Sequence, residues 1–557
     1  MDLQMSALRA AYANGLHPRE VVAEVYRRIK ARGDDAVWIS VRPEEETLAG
    51  LPDDPGLPLY GIPFAVKDNI DVAGMPTTVA CPDYAYLPDR SAPLVDRLTA
   101  AGAILIGKNN LDQFATGLSG SRSPYGSVES PLVKGLISGG SSSGSAVAVS
   151  AGLVSFSIGT DTAGSGRVPA VMTGTVGLKP SKGLVSTLGV VPACASLDCP
   201  SVFSLNVRDA REVLEIIQGY EPADPWSRQL PRRTTPIRKI GVIRGDDHWT
   251  EVLTRLEDLG YELVDIDVEP FLAAGRLLYE GPWVAERWSV LGPFVEEHPG
   301  SLHPVTARVL STGGGVTGPD TFRGLHRLQE LKAETRRTWA EVDAIAVPTV
   351  PRTFTLDEMA EDPIARNSVL GTYTTFANLL DLAGIAVPAG TTSAGRPHGV
   401  TLLAPAGADG PLADAAERFH TGRAGATPYR IRKDGTLLAV VGAHRTGHPL
   451  HPELRALGAT SAGIARTAAA YRLYDLGDRP GMVRTSGGAS VEVELFHLDA
   501  EGLGRLLTMI PPPLGLGSVE LDDGALVTGF LCESHAVADA TDITGYGSWP
   551  HYVNARP

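Results

Sequence analysis

Residues 136–170 read LISGGSSSGSAVAVSAGLVSFSIGTDTAGSGRVPA, and this stretch decides the fold class. Val147–Val154 is small and mostly apolar, the pattern of a helix packed on a sheet. Ser155-Phe156-Ser157-Ile158-Gly159 then reads as a short buried strand. Two knots of Gly and Ser flank this pair, Ser138–Ser145 before it and Gly159–Ala170 after it. Such a density of Gly and Ser serves no packing purpose. Glycine permits unusual backbone angles and close approach, and serine supplies hydroxyls for a proton relay. A flexible surface loop has the same composition, but the apolar flanks Leu136-Ile137 and Ala146–Val154 place the first knot in the core.

Working outward, the helix–strand alternation continues on both sides. Leu59 to Asp68 is short, apolar and β-prone and ends in the charged pair Lys67-Asp68. Residues 91–101 read as a helix and Ala103–Lys108 as a buried strand. Nearer the N-terminus, residues 5–32 place apolar positions at helical spacing, with Pro18 near the start of a second helix. Downstream, a region over about 237–310 restarts with the strand Lys239–Ile243, and Asp343–Thr349 is a strand that ends at a proline. This predicts an α/β fold with a mixed central sheet flanked by helices. Residues 421–436 are polar, basic and Gly-containing and read as a linker. Beyond it, Thr436–His444, Ala470–Asp475, Ser490–Leu498 and Ala525–Glu533 carry strand signals. The expected division is therefore 1–420, then a small α+β domain over 437–557.

Composition narrows the function class. The chain has 557 residues, 43% hydrophobic and 20% charged, a globular mixture with room for more than one core. Its 62 Gly and 42 Pro are scattered between apolar segments, so they signal tight connections rather than a low-complexity tail. The formal charge of −15 repels phosphate backbones and anionic lipid, which argues against nucleic acid and membrane as partners. No basic region followed by an apolar run opens the chain, and the longest uncharged run, Lys134 to Asp161, is rich in Ser and Gly. Four cysteines, Cys81, Cys194, Cys199 and Cys532, match no zinc or CxxC pattern and read as reduced thiols, so a cytoplasmic location is expected.

Three clusters are candidates for chemistry. Lys67 ends a buried segment, where desolvation lowers an amine's pKa and makes a neutral base available; a surface lysine at a strand end is the competing reading. Ser138–Ser145 offers hydroxyls in a backbone that can approach its neighbours closely. Gly159–Ala170 places Ser165 after small residues, so that several backbone N–H groups converge on one point; this is an oxyanion hole, or an anion-binding loop at a helix start.

The ordered set Ile62–Asp68, Gly139–Gly144 and Gly159–Ser165 resembles the amidase signature family over roughly residues 5–420. The resemblance implies Ser165 as nucleophile, Ser141 on a cis peptide as the bridge, and Lys67 as the base. The amides of Thr162, Ala163, Gly164 and Ser165 are implied as the oxyanion hole. Most members carry a second Gly at the place of Ala163 and a bulky apolar residue at that of Gly166. Those departures, with Asn110–Gly120, are similar to one branch, the allophanate hydrolases. Tyr279 to Arg287 looks like that branch's substrate segment, which implies Tyr279 and Arg287 at a substrate carboxylate and a backbone contact from Gly117. Eight residues span a little over two helical turns, so Tyr279 and Arg287 are expected to share one helix face. The C-terminal domain is similar to that branch's gamma-glutamylcyclotransferase-like domain. Ile510–Gly515 stands where the cyclotransferase acid is expected, and His444 matches a histidine that decarboxylates the first product in some relatives; a structural histidine is the competing reading.

Other motifs fit less well. Gly140–Gly144 also matches G-x-S-x-G centred on Ser142, without a clear strand before it. Gly102–Lys108 falls short of a phosphate loop because Asn109 replaces the Ser or Thr. His444, His448 and His451 lack the fixed spacing of metal ligands. The expected function is hydrolysis of the small-molecule substrate allophanate to ammonia and N-carboxycarbamate, with no metal or organic cofactor implied. Hydrolysis of biuret or another amide, or a non-catalytic role in a nitrogen-releasing assembly, are the alternatives. A homodimer is the base-rate expectation, and association with other nitrogen-catabolic enzymes stays open.

Overall fold

The computed structural model describes residues 1–245, 247–421, 436–446, 448–477, 479–522 and 524–555. The chain divides into two compact units, Met1–Gly422 and Arg423–Pro557. Eleven strands of the first unit form one mixed sheet. In chain order they are β1 (Trp38–Val41), β2 (Pro63–Lys67), β3 (Ile104–Asn109), β4 (Phe156–Thr160), β5 (Val176–Lys179), β6 (Pro200–Ser204), β7 (Lys239–Val242), β8 (Glu262–Asp265), β9 (Ala344–Pro348), β10 (Leu382–Thr391) and β11 (Pro397–Pro405). Their order across the sheet is β1-β3-β2-β4-β6-β5-β10-β11-β9-β7-β8. β2 lies between β3 and β4 and is parallel to both. From β4 through β6, β5, β10 and β11 to β9 the pairs are antiparallel, and β7 restores parallel pairing with β9 and β8.

Every residue of β2, β3 and β4 is buried, which is why these strands read as apolar runs rather than as alternating ones. The helix Ser143–Ser150 covers them and is itself buried from Ser143 to Val149. It begins four residues earlier than its apolar run suggests and ends at Ser150, because the chain turns at Ala151-Gly152 before entering β4. The N-terminal pair forms Met5–Ala13 and Pro18–Arg32. His17 caps the second by accepting from Arg19 N, and Glu20 accepts from His17 N. The region from Lys239 builds no sheet of its own, since β7 and β8 extend the large sheet through β9.

In the second unit, β12 (Thr436–Val440), β13 (Thr460–Arg466), β14 (Tyr471–Asp475), β15 (Pro480–Arg484), β16 (Glu492–Leu498), β17 (Leu514–Glu520), β18 (Leu526–Cys532) and β19 (Thr541–Asp542) make two sheets. One runs β13-β16-β12-β18-β17 and the other β15-β14-β19. The helix Ala500–Met509 packs on β16, which makes the unit α+β. Of the linker span 421–436, Thr421 ends the helix Asp409–Thr421 and Thr436 opens β12, while 422–435 lie outside the described residues. Among the described residues no helix is long and apolar enough to cross a membrane.

Phe64 of β2 pairs in register with Phe156 of β4, and their rings stack with centroids 5.3 Å apart. Both are fully buried and belong to the strands that end at Lys67 and Thr160. Phe156→Ala is expected to cost about 3–5 kcal/mol. The urea midpoint of the variant reads this, and a cost below about 1 kcal/mol would remove the stacked pair from the structural support of the site.

Candidate active site

β2 and β4 are parallel neighbours, so their C-terminal residues, Lys67 and Thr160, meet at one edge of the sheet. That edge is where open α/β sheets place ligands. Lys67 is fully buried, and its Nζ donates to Ser141 Oγ and to Thr160 Oγ1, each at 2.8 Å. It forms no ion pair among the described residues. Burial lowers its pKa to about 7; Asp112, Asp198 and Asp161 pull the other way, and Arg287 adds to the lowering. A neutral amine is thus available near neutral pH. Thr160 also receives Asn69 Nδ2 at 3.4 Å. It lies inside the motif read from the sequence, yet only the strand pairing shows that its hydroxyl meets Lys67.

Ser141 follows a cis peptide bond, Gly140–Ser141. A side chain at Gly140 would meet Asp112 Oδ2 at 2.2 Å, so the close approach requires glycine there. Asp112 N donates to Ser141 O at 3.1 Å, and the Asp112 carboxylate accepts the amides of Ser119, Gly120 and Arg122. Asp112 therefore fixes the Ser141 backbone and the turn after Gly117 at once. Gly117 sits so close to Asp112 that a Cβ there would lie 2.6 Å from its Oδ2.

Ser165 stands in a buried loop between Asp161 and Arg167. These two are fully buried and pair in bidentate fashion, Nε to Oδ2 at 2.8 Å and Nη2 to Oδ1 at 2.9 Å. Burial alone would raise the Asp161 carboxyl, but the Arg167 guanidinium and local amides hold it below its ordinary range. Asn378 Nδ2 binds Asp161 O at 2.7 Å and Thr374 Oγ1 binds Ala163 O at 2.8 Å, so the loop is tied on both sides. Ser165 Oγ has no hydrogen-bond partner among the described residues.

The four amides expected to converge do not share one state. Gly164 N donates to Asp161 Oδ1 at 2.8 Å, so that donor is committed inside the loop. The amides of Thr162, Ala163 and Ser165 have no acceptor among the described residues. Thr162 Oγ1 is held by Asp198, which also accepts the amides of Ala193 and Cys194. Burial raises Asp198 to about 6 against these hydrogen bonds and the nearby Arg287 charge. Asp198 carries no local sequence signal, since only the fold brings it to this loop.

Tyr279 and Arg287 do not share one helix. Tyr279 belongs to the helix Glu269–Glu280 and Arg287 to the helix Trp283–Glu297, because Gly281-Pro282 breaks the chain between them. They meet across that break, with the guanidinium carbon 5.8 Å from the Tyr279 ring centre. Arg287 is 3% exposed, donates to Thr116 Oγ1 at 2.9 Å, and forms no ion pair among the described residues. A buried guanidinium without an ion pair has the charge and the fork geometry to receive a carboxylate.

His444 lies in the second unit, where it stacks on Phe530 with ring centroids 5.3 Å apart. It lines a cavity of about 460 Å³ with Glu453, Arg479, Ile510, Pro511 and Leu514. Burial lowers its pKa, and Glu453 opposes this. Ile510 and Pro511 put an apolar wall where the sequence reading expected an acid to be missing. His451 Nδ1 contacts His444 O at 3.3 Å, and no group of three or more His, Cys, Asp or Glu among the described residues is arranged to hold a metal ion.

The pH dependence has a definite sign. A reaction that uses the free base of Lys67 rises with pH through about 7 and levels above it. Arg287→Ala removes a charge that lowers Lys67 and moves this limb to higher pH, while Asp198→Asn moves it lower. The pH profile of kcat/KM measures both shifts, and a limb near 10, where an ordinary lysine titrates, would contradict the lowered pKa of Lys67.

Comparison with known proteins finds matches along both units. The family model described as Amidase matches residues 20–412, and that described as Allophanate hydrolase C-terminal domain matches residues 436–554. The chain is 39% identical to urea amidolyase of Saccharomyces cerevisiae over 93% of its own length and 31% of that protein's. With urea amidolyase of Lachancea kluyveri the identity is 38%, over 97% of this chain and 32% of that protein. The chain thus spans about a third of the length of these curated relatives. A solved structure of Kluyveromyces lactis allophanate hydrolase superposes with a TM-score of 0.73 and 36% identity, covering 99% of this chain and 98% of that one.

Proposed function

The chain belongs to the amidase family and carries an allophanate hydrolase C-terminal domain, and from that premise we propose that it hydrolyses allophanate to ammonia and N-carboxycarbamate. The observation that carries the substrate is Arg287, a buried guanidinium without a carboxylate, set against Tyr279. Allophanate is a urea bearing one carboxylate, and a neutral amide such as biuret has no use for that cation. The 36% identity to an allophanate hydrolase along nearly the whole of both chains supports the same choice.

In this reading residues 1–420 are the catalytic domain, 421–436 a linker and 437–557 a second domain. Arg287 and Tyr279 hold the carboxylate, with a backbone contact at Gly117. Neutral Lys67 takes the proton of Ser141, and Ser141 takes that of Ser165. The relay requires the unbonded Ser165 hydroxyl to turn onto Ser141. Ser165 attacks the terminal amide carbonyl, and the amides of Thr162, Ala163 and Ser165 receive the developing oxyanion. The relay returns a proton to the departing ammonia, and water then releases N-carboxycarbamate from the acyl-enzyme. A homodimer in the cytoplasm is the working assignment, supported by base rates and composition.

Ammonia release from allophanate and from biuret tests the reading. Wild type is expected to turn over allophanate, Ser165→Ala to lose about 10⁴-fold or more in kcat, and Arg287→Ala to lose about two orders of magnitude in kcat/KM on allophanate. Turnover of biuret but not allophanate by wild type would overturn the substrate, and an active Ser165→Ala would overturn the nucleophile.

The cavity around His444 favours a second role, decarboxylation of N-carboxycarbamate to carbamate, which ends as ammonia and carbon dioxide. His444→Ala is then expected to delay carbon dioxide behind the first ammonia in a rapid-mixing assay. Identical time courses for the two enzymes would leave His444 a structural residue.

A further inference from the structure

Thr116 stands at the junction between the turn after Asp112 and the helix that carries Arg287. It is 1% exposed, and both ends of the residue are engaged by a guanidinium. Its Oγ1 accepts Arg287 Nη1 at 2.9 Å, and its carbonyl accepts Arg122 Nη1 at 3.0 Å. The hydroxyl proton is directed back to Phe114 O at 3.2 Å, which leaves an oxygen lone pair facing Arg287. Arg122 is 4% exposed and anchors its other arm on Pro363 O at 2.7 Å, and Arg122 N binds Asp112 Oδ1 at 2.9 Å. The turn that presents Thr116 is therefore clamped at three points.

This matters because nothing else among the described hydrogen bonds orients Arg287. A guanidinium has five donors in a rigid fork, and its grip on a carboxylate depends on the fork's direction. The Tyr279 ring offers a face, which restrains distance but not rotation. One hydroxyl bond at one end of the fork fixes the rotation.

We propose that Thr116 is the specificity-determining positioning residue of this site: its hydroxyl aims the Arg287 fork at the substrate carboxylate, and Arg122, by holding the Thr116 carbonyl, keeps that hydroxyl in place. The inference rests on the reading of Arg287 as the carboxylate receptor. It places Thr116 outside the reacting atoms and gives it an effect on carboxylate recognition rather than on bond breaking.

Steady-state kinetics on allophanate and biuret with wild type, Thr116→Val, Thr116→Ser and Arg287→Ala test it. Thr116→Val keeps the shape and removes the acceptor, so KM for allophanate is expected to rise about tenfold with a much smaller change in kcat, and preference for allophanate over biuret to fall by a similar factor. Thr116→Ser restores the hydroxyl and is expected to bring the preference back to near the wild-type value. If Arg287→Ala loses the preference and Thr116→Val retains it, the positioning role is wrong and the substrate reading stands. An equal fall of kcat/KM on both substrates, without rescue by serine, also overturns it, because a merely structural residue behaves that way. Wild type without preference for the carboxylate substrate overturns the substrate reading and this inference with it.

Discussion

The first unit depends on one unfavourable placement, a buried lysine at the end of a strand, bonded to two hydroxyls and paired with no carboxylate among the described residues. A charged ammonium in that position loses its hydration and recovers little of it from Ser141 and Thr160. The amine therefore lowers its pKa to about 7. A direct carboxylate partner would hold the lysine protonated and end its use as a base. The negative charges that do reach it, from Asp112, Asp198 and Asp161, are each bonded to other groups and act at a distance.

Those acidic residues shape the loops as well as the field at Lys67. Asp112 holds Ser141 O with its backbone N–H and the turn from Ser119 to Arg122 with its carboxylate. Asp161 binds Arg167 and the Gly164 amide and so shapes the Ser165 loop. Asp198 holds Thr162. Each loop that brings a hydroxyl or an amide to the site is folded around a buried carboxylate, and the three charges together keep the Lys67 pKa from falling further. Shape and electrostatics are for this reason inseparable here, since removing any of these acids changes a loop and the titration of Lys67 together.

The sheet strands were legible because β2, β3 and β4 are covered on both faces, and full burial leaves continuous apolar runs between polar knots. The helix Ser143–Ser150 was misplaced by four residues because its first turn is Ser and Gly, which read as loop in isolation and are chosen by close packing against the strands. Lys67, Ser141 and Ser165 stood out as residue types in unusual company, yet Thr160, Thr116 and Asp198 did not. Ordinary polar residues gain a role only when pairing between distant segments sets them beside Lys67, Arg287 and Thr162. The Tyr279–Arg287 spacing pointed to a real contact through a wrong device, since Gly281-Pro282 ends one helix and the contact crosses the break. The Gly164 amide, one of the four that the resemblance implied, is accepted by Asp161, three residues earlier, a local bond that residue types alone do not announce.

The cation at Arg287 ties recognition to chemistry in the proposed reading. Its positive charge is one of the influences that lower Lys67. A carboxylate seated on Arg287 cancels much of that influence, so a bound anionic substrate moves Lys67 upward, which strengthens the base and lowers its neutral fraction at a given pH. A neutral amide leaves the Arg287 charge uncompensated and the base weaker. Binding at Arg287 and the titration of Lys67 are coupled in this way. No contact between substrate and lysine is needed for the coupling. It follows from burying a guanidinium and an amine, neither in an ion pair among the described residues, near enough to feel one another's charge.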